Sequence, residues 1–243
     1  IGWCDWSSDV CSSDLVIEVR FRNGHHGEAI TQALEVGQGA GGAGATPVCL
    51  PRVAEPSGDG NLLQNPGFED GVKGTLGSMG DRVEGIGWTH LFAGPTQCYI
   101  WGESGYDIHP EWGLPSYHAG KEAIRTHTEG HGHTVIYQDI RVASDADYEA
   151  SVWVEAADLH GQGFGADPAD SAGLQIQELD ATGRIAVDHG KVAVNKAGPY
   201  QRLALPFRTG SDTTSVRFVL DTVQIGPYDQ GHVTYDDAAL LAR

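Results

Sequence analysis

The clearest pattern in the chain is strict alternation of apolar and polar residues, the period of a half-buried β-strand. In DYEASVWVEA (147–156), Tyr148, Ala150, Val152 and Val154 fall on one face, and Glu149, Ser151, Trp153 and Glu155 on the other. In GLQIQELD, Leu174 and Ile176 oppose Gln175 and Gln177. In SVRFVLDT, Val216, Phe218 and Leu220 oppose Arg217, Val219 and Asp221. EAIRTH, TVIYQDIRV, RIAVDHGKVAV, PYQRLALPF and HVTYDDAALL have the same texture, rich in Val, Ile, Tyr and Thr and separated by Gly, Asp, Asn and Pro. Strands at this spacing predict an all-β sandwich, and no long amphipathic helix competes with them. One face of each strand builds the core. The other is polar and carries a lone Trp153, which needs either a covering loop or a ligand.

The pattern holds over 59–243 and is different upstream. Residues 16–37 read as a strand, a turn, and then a second strand or a short helix; QGAGGAGATP is a flexible linker by composition. The segment 47–60 is punctuated by Pro and Gly. Residues 16–58 are therefore read as a short irregular or β fragment of an upstream domain plus its linker. EVRFRNGHHGEAITQALEV faintly echoes the closing SVRF…QGHVTYDDAALL, so the fragment is either the end of an upstream copy or an unrelated hairpin. Within 59–243, the segments 91–118 and 157–172 read as long loops.

The formal charge is −18. Such a surface repels phosphate backbones, which excludes nucleic acid as an expected partner and leaves neutral ligands and cations. No run approaches a membrane span. Of the four cysteines, Cys4 and Cys11 lie in the opening stretch. Cys49 and Cys98 are open between one disulfide and two buried thiols. The opening stretch has neither the basic start nor the apolar core of a secretory signal. Its DWSSDVCSSDL (5–15) resembles, letter for letter, the first-frame translation of a common sequencing-library adapter, so residues 1–15 are set aside from fold reasoning.

In order along the chain come NLLQNPGFEDG, GW, YHAGKEAIRT, VIYQDIRVASDADYEASVWVEA, YQRLALPF, TSVRFVLD and VTYDDAALL. This ordered set resembles carbohydrate-binding modules of the family 4/9/22 kind over about 61–243. The resemblance implies a galactose-binding-domain-like β-jelly roll. It implies a non-catalytic, extracellular module that holds a larger, glycan-degrading protein on a neutral polysaccharide. It also implies a structural Ca²⁺ where the first and last strands meet, with Glu69 and Asp237 as side-chain ligands and backbone carbonyls near Gly67 and Lys121. Hard oxygen donors suit that ion. Asp236 is then expected to face outward.

For the sugar, an aromatic face flanked by planar polar groups is the required chemistry. The sheet-face candidates are Trp153, Gln175, Gln177, Arg217 and Asp221. Tyr137 shares an outward phase with Asp139, on this sheet or the opposite one. The 91–118 segment offers Tyr99, Trp101, Tyr106 and Trp112, either as cleft walls or as the private core of a long loop. Trp88 is assigned to the core.

Two rival readings remain at this point. One is an adhesion or structural sandwich in which loop 157–172 covers Trp153. The other is a metal-dependent hydrolase or a lyase centred on HTEGHGH (127–133), where His127, Glu129, His131 and His133 alternate and suit a transition metal. The plain reading of that stretch is a polar strand–turn–strand. No GxSxG, HExxH or compact Cys–His pairing appears.

Overall fold

The computed structural model describes residues 60–70, 87–93, 96–102, 117–128, 132–157, 164–225 and 232–243. The chain divides into two units, 1–51 and 52–243, and all the described residues belong to the second. They form ten strands: β1 (Thr89–Ala93), β2 (Thr96–Gly102), β3 (Glu122–Thr128), β4 (Gly132–Arg141), β5 (Asp147–Ala157), β6 (Ser171–Leu179), β7 (Ile185–Val194), β8 (Gly198–Arg208), β9 (Ser215–Gln224) and β10 (His232–Ala242). Among the described residues there is no helix.

The strands make two five-stranded antiparallel sheets, β1-β4-β9-β6-β7 (the first sheet) and β2-β3-β10-β5-β8 (the second). Strands β4, β5, β6 and then β8, β9, β10 switch sheets at each step, the wiring of a jelly roll. All eight runs with alternating pattern are strands. Segment 91–118 is not a single loop, as its composition implied, because it contains the end of β1 and all of β2. Among the described strands, β2 stands at the edge of its sheet and pairs with β3. The side chains of Tyr99, Trp101 and Cys98 fall outside the description; Trp101 pairs with Ala123 through the backbone. Tyr106, Trp112, Glu129, His131 and Cys49 lie outside the described residues.

The inward phases interdigitate as the alternation requires. Val152, Val154, Leu174, Ile176, Val216, Phe218 and Leu220 are buried in one core with Ile124, Ile136, Val233, Tyr235 and Leu240. Trp88 joins that core as expected, tilted against Phe68 and edge-on to Phe218. A polar bridge crosses between the sheets, where the Thr126 hydroxyl of β3 donates to Thr222 Oγ1 of β9 at 3.3 Å. The Tyr235 hydroxyl of β10 donates to the Asp221 carbonyl at 3.1 Å and shares a 2.7 Å hydrogen bond with Thr222 of β9.

Residues 61–68 fasten the two sheets together. Asn61 gives its amide to the Ala238 carbonyl and accepts from the Leu63 and Leu240 amides, which ties this segment to β10. Gln64 exchanges two hydrogen bonds with Gln138 of β4 in the other sheet. Leu63 and Phe68 fill the core between these anchors.

β10 carries the one irregularity that shapes a site. Its register against β5 slips between Asp236 and Ala239, and Asp237 has φ +45°. The slip is a β-bulge. It changes the inward phase from Val233 and Tyr235 to Ala238 and Leu240, all buried.

Candidate functional site

The outer face of the first sheet gathers most of the polar residues that the alternation singled out. Register places Asp139, Arg217, Gln177 and Asp188 in one row across β4, β9, β6 and β7. The next outward row is Tyr137, Val219, Gln175 and Lys191, and the next holds Val135, Asp221 and Gly173. Gln175, Gln177, Arg217 and Asp221 thus share a face, and Tyr137 shares it with them.

Charges on this face are paired within it. Arg217 grips Asp139 through Nε and Nη2 at 2.7 and 2.9 Å, and its guanidinium lies 4.2 Å over the Tyr137 ring. Arg217 and Tyr137 are only 8% and 9% exposed. Burial works against the Arg217 charge, but the Asp139 carboxylate outweighs it and raises the guanidinium pKa. Asp221 accepts from Lys191 Nζ at 3.1 Å and pairs with His133 Nε2 at 3.2 Å. Burial alone would push its carboxyl up; His133 and Lys191 outweigh it and hold it below the usual carboxylate range. Gln175 donates to Asp188 Oδ2 at 2.7 Å, and Lys191 reaches the Ser171 hydroxyl. The result is a face on which the Gln175 amide, the Asp139, Asp188 and Asp221 carboxylates and the Arg217 guanidinium are each held by a neighbour, with the Gln177 amide in the same row as Arg217 and Asp188. Asp188 and Lys191 were not singled out in the sequence, because the register that sets them opposite Gln177 and Gln175 is not written in β7 alone. His133 belongs to this network and not simply to a polar turn.

Trp153 does not share that face. β5 lies in the second sheet, so Trp153 projects from the opposite side of the sandwich, beyond a core of roughly 10 Å. Its ring is partly buried, and the described residue stacked on it is His118, with centroids 3.8 Å apart and planes at 14°. Tyr200 of β8 meets His118 edge-on at 5.7 Å. The described part of loop 157–172 goes elsewhere: Phe164 enters the core, and Asp170 accepts from the Gly165, Asp167 and Ile225 amides. Alternation does not point to His118, because one His in the turn ahead of Gly120 carries no periodic signal.

Beside His118 lie the carboxylates read as cation ligands. Asp236 has the outward phase expected of it but is fully buried. It lies opposite Trp153, and the His118–Ala119 backbone covers it and donates two amides to Oδ2 at 2.7 and 3.1 Å. Burial pushes its carboxyl up to about 6, helped by the negative charge of Asp237. Asp237 Oδ2 is 2.6 Å from His118 Nδ1. Glu69 Oε1 accepts from the Lys121 and Glu122 amides at 2.9 and 3.1 Å, pressed against Gly120.

These groups converge on Gly67. A Cβ there would sit 3.7 Å from Glu69 Cγ, 3.8 Å from Asp237 Oδ1 and 3.9 Å from Asp236 Oδ1. Two of these neighbours are carboxylate oxygens, Asp236 Oδ1, which also accepts the Asp237 amide, and Asp237 Oδ1; Glu69 turns Cγ toward Gly67, and its Oε1 lies on the Lys121 and Glu122 amides. Hard oxygen donors of this kind are the type that suits Ca²⁺. Among the described residues, no three His, Cys, Asp or Glu side chains are placed to hold a metal by themselves. Backbone carbonyls such as those of Gly67 and Lys121 would have to contribute to the shell.

The fold defines an all-β jelly-roll sandwich. No family model and no curated protein matches the chain. Solved structures do match in fold. A cyclase from Fischerella sp. TAU is 13% identical at a TM-score of 0.50, covering 74% of this chain and 95% of that one. TmCBM61, solved with beta-1,4-galactotriose, is 13% identical at a TM-score of 0.46, covering 75% and 99%. The enzymatically active domain of bacteriophage CBA120 tailspike protein 4 is 11% identical at 0.49. That match covers 76% of this chain and only 22% of the tailspike chain. No helix among the described residues is long and apolar enough to cross a membrane.

Proposed function

We propose that the chain is a carbohydrate-binding module whose ligand lies on the outer face of β4, β9, β6 and β7. The observation that carries this reading is the lattice of Gln175, Gln177, Asp188, Asp221 and Lys191 beside the Tyr137–Arg217 pair. Sugar hydroxyls need paired planar donors and acceptors at fixed positions, and on this face Gln175, Asp188, Asp221 and Lys191 are already oriented by their neighbours. Its cations are matched by carboxylates, which favours a neutral glycan over a uronate polymer. A shallow site of this kind binds with a Kd of roughly μM to mM. The module acts by proximity, holding a covalently linked, secreted glycan-degrading partner on its polymer.

The reading includes a structural Ca²⁺ held by Glu69 and Asp237 with the Gly67 and Lys121 carbonyls. When bound, the cation supplies positive charge to carboxylates that otherwise repel. The chain's own part is to orient them: the Lys121 and Glu122 amides fix Glu69, and the bulge aims Asp237.

The test is retention of the full chain on a panel of immobilised neutral polysaccharides, alongside a Gln175→Ala/Gln177→Ala variant and a Trp153→Ala variant. The expected result is retention on at least one glycan, lost in the double variant and kept in Trp153→Ala. Loss in Trp153→Ala alone would move the site to the opposite sheet. Retention on none would overturn the binding reading.

A further inference from the structure

We infer that His118 is a positioning residue of the cation site and ties that site to the aromatic group on the outer face of the second sheet. This rests on the calcium reading above. The observation is that Asp237 faces two ways. Its Oδ1 points into the Gly67 cradle, 3.8 Å from where a Cβ would sit, while its Oδ2 meets His118 Nδ1 at 2.6 Å. The same imidazole lies flat on Trp153 and edge-on to Tyr200.

The chemistry then runs in one line. The His118 Nδ1–H donates to a carboxylate whose other oxygen is left for a cation. Such outer partners of a metal-bound carboxylate or imidazole fix its angle and support its affinity. The backbone on either side is fixed independently, since Asp236 Oδ2 holds the His118 and Ala119 amides. The ring has few ways to satisfy both the stack on Trp153 and the bond to Asp237. A cation that immobilises Asp237 therefore also immobilises His118 over Trp153. By linkage, the stack on Trp153 supports cation binding to the same degree. The bulge makes this possible: without the extra residue, Asp237 would take the inward phase of Tyr235.

The experiment uses the full chain stripped with EDTA and titrated with CaCl₂. Binding is read by calorimetry, and the Trp153 environment by the fluorescence difference between the wild type and Trp153→Phe. The expected result is a wild-type fluorescence change with the same midpoint as the heat, absent from Trp153→Phe. His118→Ala is expected to weaken Ca²⁺ by roughly tenfold and abolish the Trp153 signal. His118→Asn puts an amide Nδ2 where Nδ1 stood, so it restores most of the affinity but not the signal. Absence of any Ca²⁺ heat in the wild type would overturn the calcium reading, and this inference with it. Normal binding with no Trp153 signal, or unchanged affinity in His118→Ala, would overturn this inference alone.

Discussion

Replacing Gly120 by Ala separates two costs that the structure places at one residue. Gly120 has φ +66°, and a Cβ there would lie 1.9 Å from Glu69 Oε1 and 2.6 Å from Glu69 Cδ. Left-handed backbone costs an L-residue about 1 kcal/mol. The contact cost is separate, because the carboxylate must leave and give up the Lys121 and Glu122 amides. Two solvent-accessible hydrogen bonds are worth roughly 0.5–1 kcal/mol each, so Gly120→Ala should cost about 2–3 kcal/mol in all. Gly183 is the internal control, with φ +80° and nothing within 4 Å of a built Cβ. Gly183→Ala should therefore cost only about 1 kcal/mol. The assay is urea unfolding in EDTA, where a change in midpoint without a change in slope reports stability. In a Glu69→Ala background, Gly120→Ala should fall to the cost of the control, a coupling of about 1–2 kcal/mol. Equal costs at the two glycines, or no coupling to Glu69, would refute the placement of the Glu69 carboxylate against Gly120. Ca²⁺ affinity, measured in parallel, should fall in Gly120→Ala and not in Gly183→Ala.

Three further outcomes follow from the same geometry. Tyr235→Phe removes the hydroxyl that bonds both Thr222 and the Asp221 carbonyl in a buried bridge between the sheets, and leaves Thr222 with Thr126, so it should cost about 1–2 kcal/mol in urea unfolding. Glu178 is buried with Thr213, the Gly210 amide and His189 on its carboxylate; burial would raise its pKa, but these partners outweigh it and depress it. That contribution is present above the ordinary carboxylate pKa and disappears as pH falls through the lower folded value, so stability should fall more steeply with acid in the wild type than in Glu178→Gln, as read by urea unfolding across that range. For Asp236 the sign is opposite, since its folded carboxyl is raised to about 6. Cation-free protein should lose stability as pH rises from about 4 through 6, and Asp236→Asn should flatten that fall in pH-dependent melts.

How much of this was legible depended on what kind of statement alternation makes. It assigns a face, so the core positions Val152, Val154, Leu174, Ile176, Phe218 and Leu220 could be read directly. It does not assign a sheet. Trp153 and Gln175 have the same outward phase on β5 and β6, and only the pairing of β5 with β10 and of β6 with β9 sends them to opposite sides. THLFA and TQCYIWG carry little strand signal, because each is short and the stretch around them is dense in Gly and Pro. The bulge was readable in principle: VTYDDAALL keeps its apolar phase only if one residue is inserted at the Asp pair. That insertion, and the backbone of 117–121 lying over it, bury Asp236 and leave Asp237 with one oxygen toward Gly67 and one toward His118. Cross-strand partners such as Asp188 for Gln175, and the stack of His118 on Trp153, depend on register and on loop paths that no local pattern encodes.

The central claim is that a neutral glycan occupies the outer face of the first sheet. Its most direct test is a backbone-amide NMR titration of the full chain with a neutral oligosaccharide drawn from the polymer that retains it. The account predicts that the largest shifts, together with side-chain amide shifts of Gln175 and Gln177, cluster on β4, β6, β7 and β9, while Trp153, Tyr200 and His118 stay fixed. Shifts centred on Trp153 and Tyr200, with Gln175 and Gln177 unmoved, would contradict it.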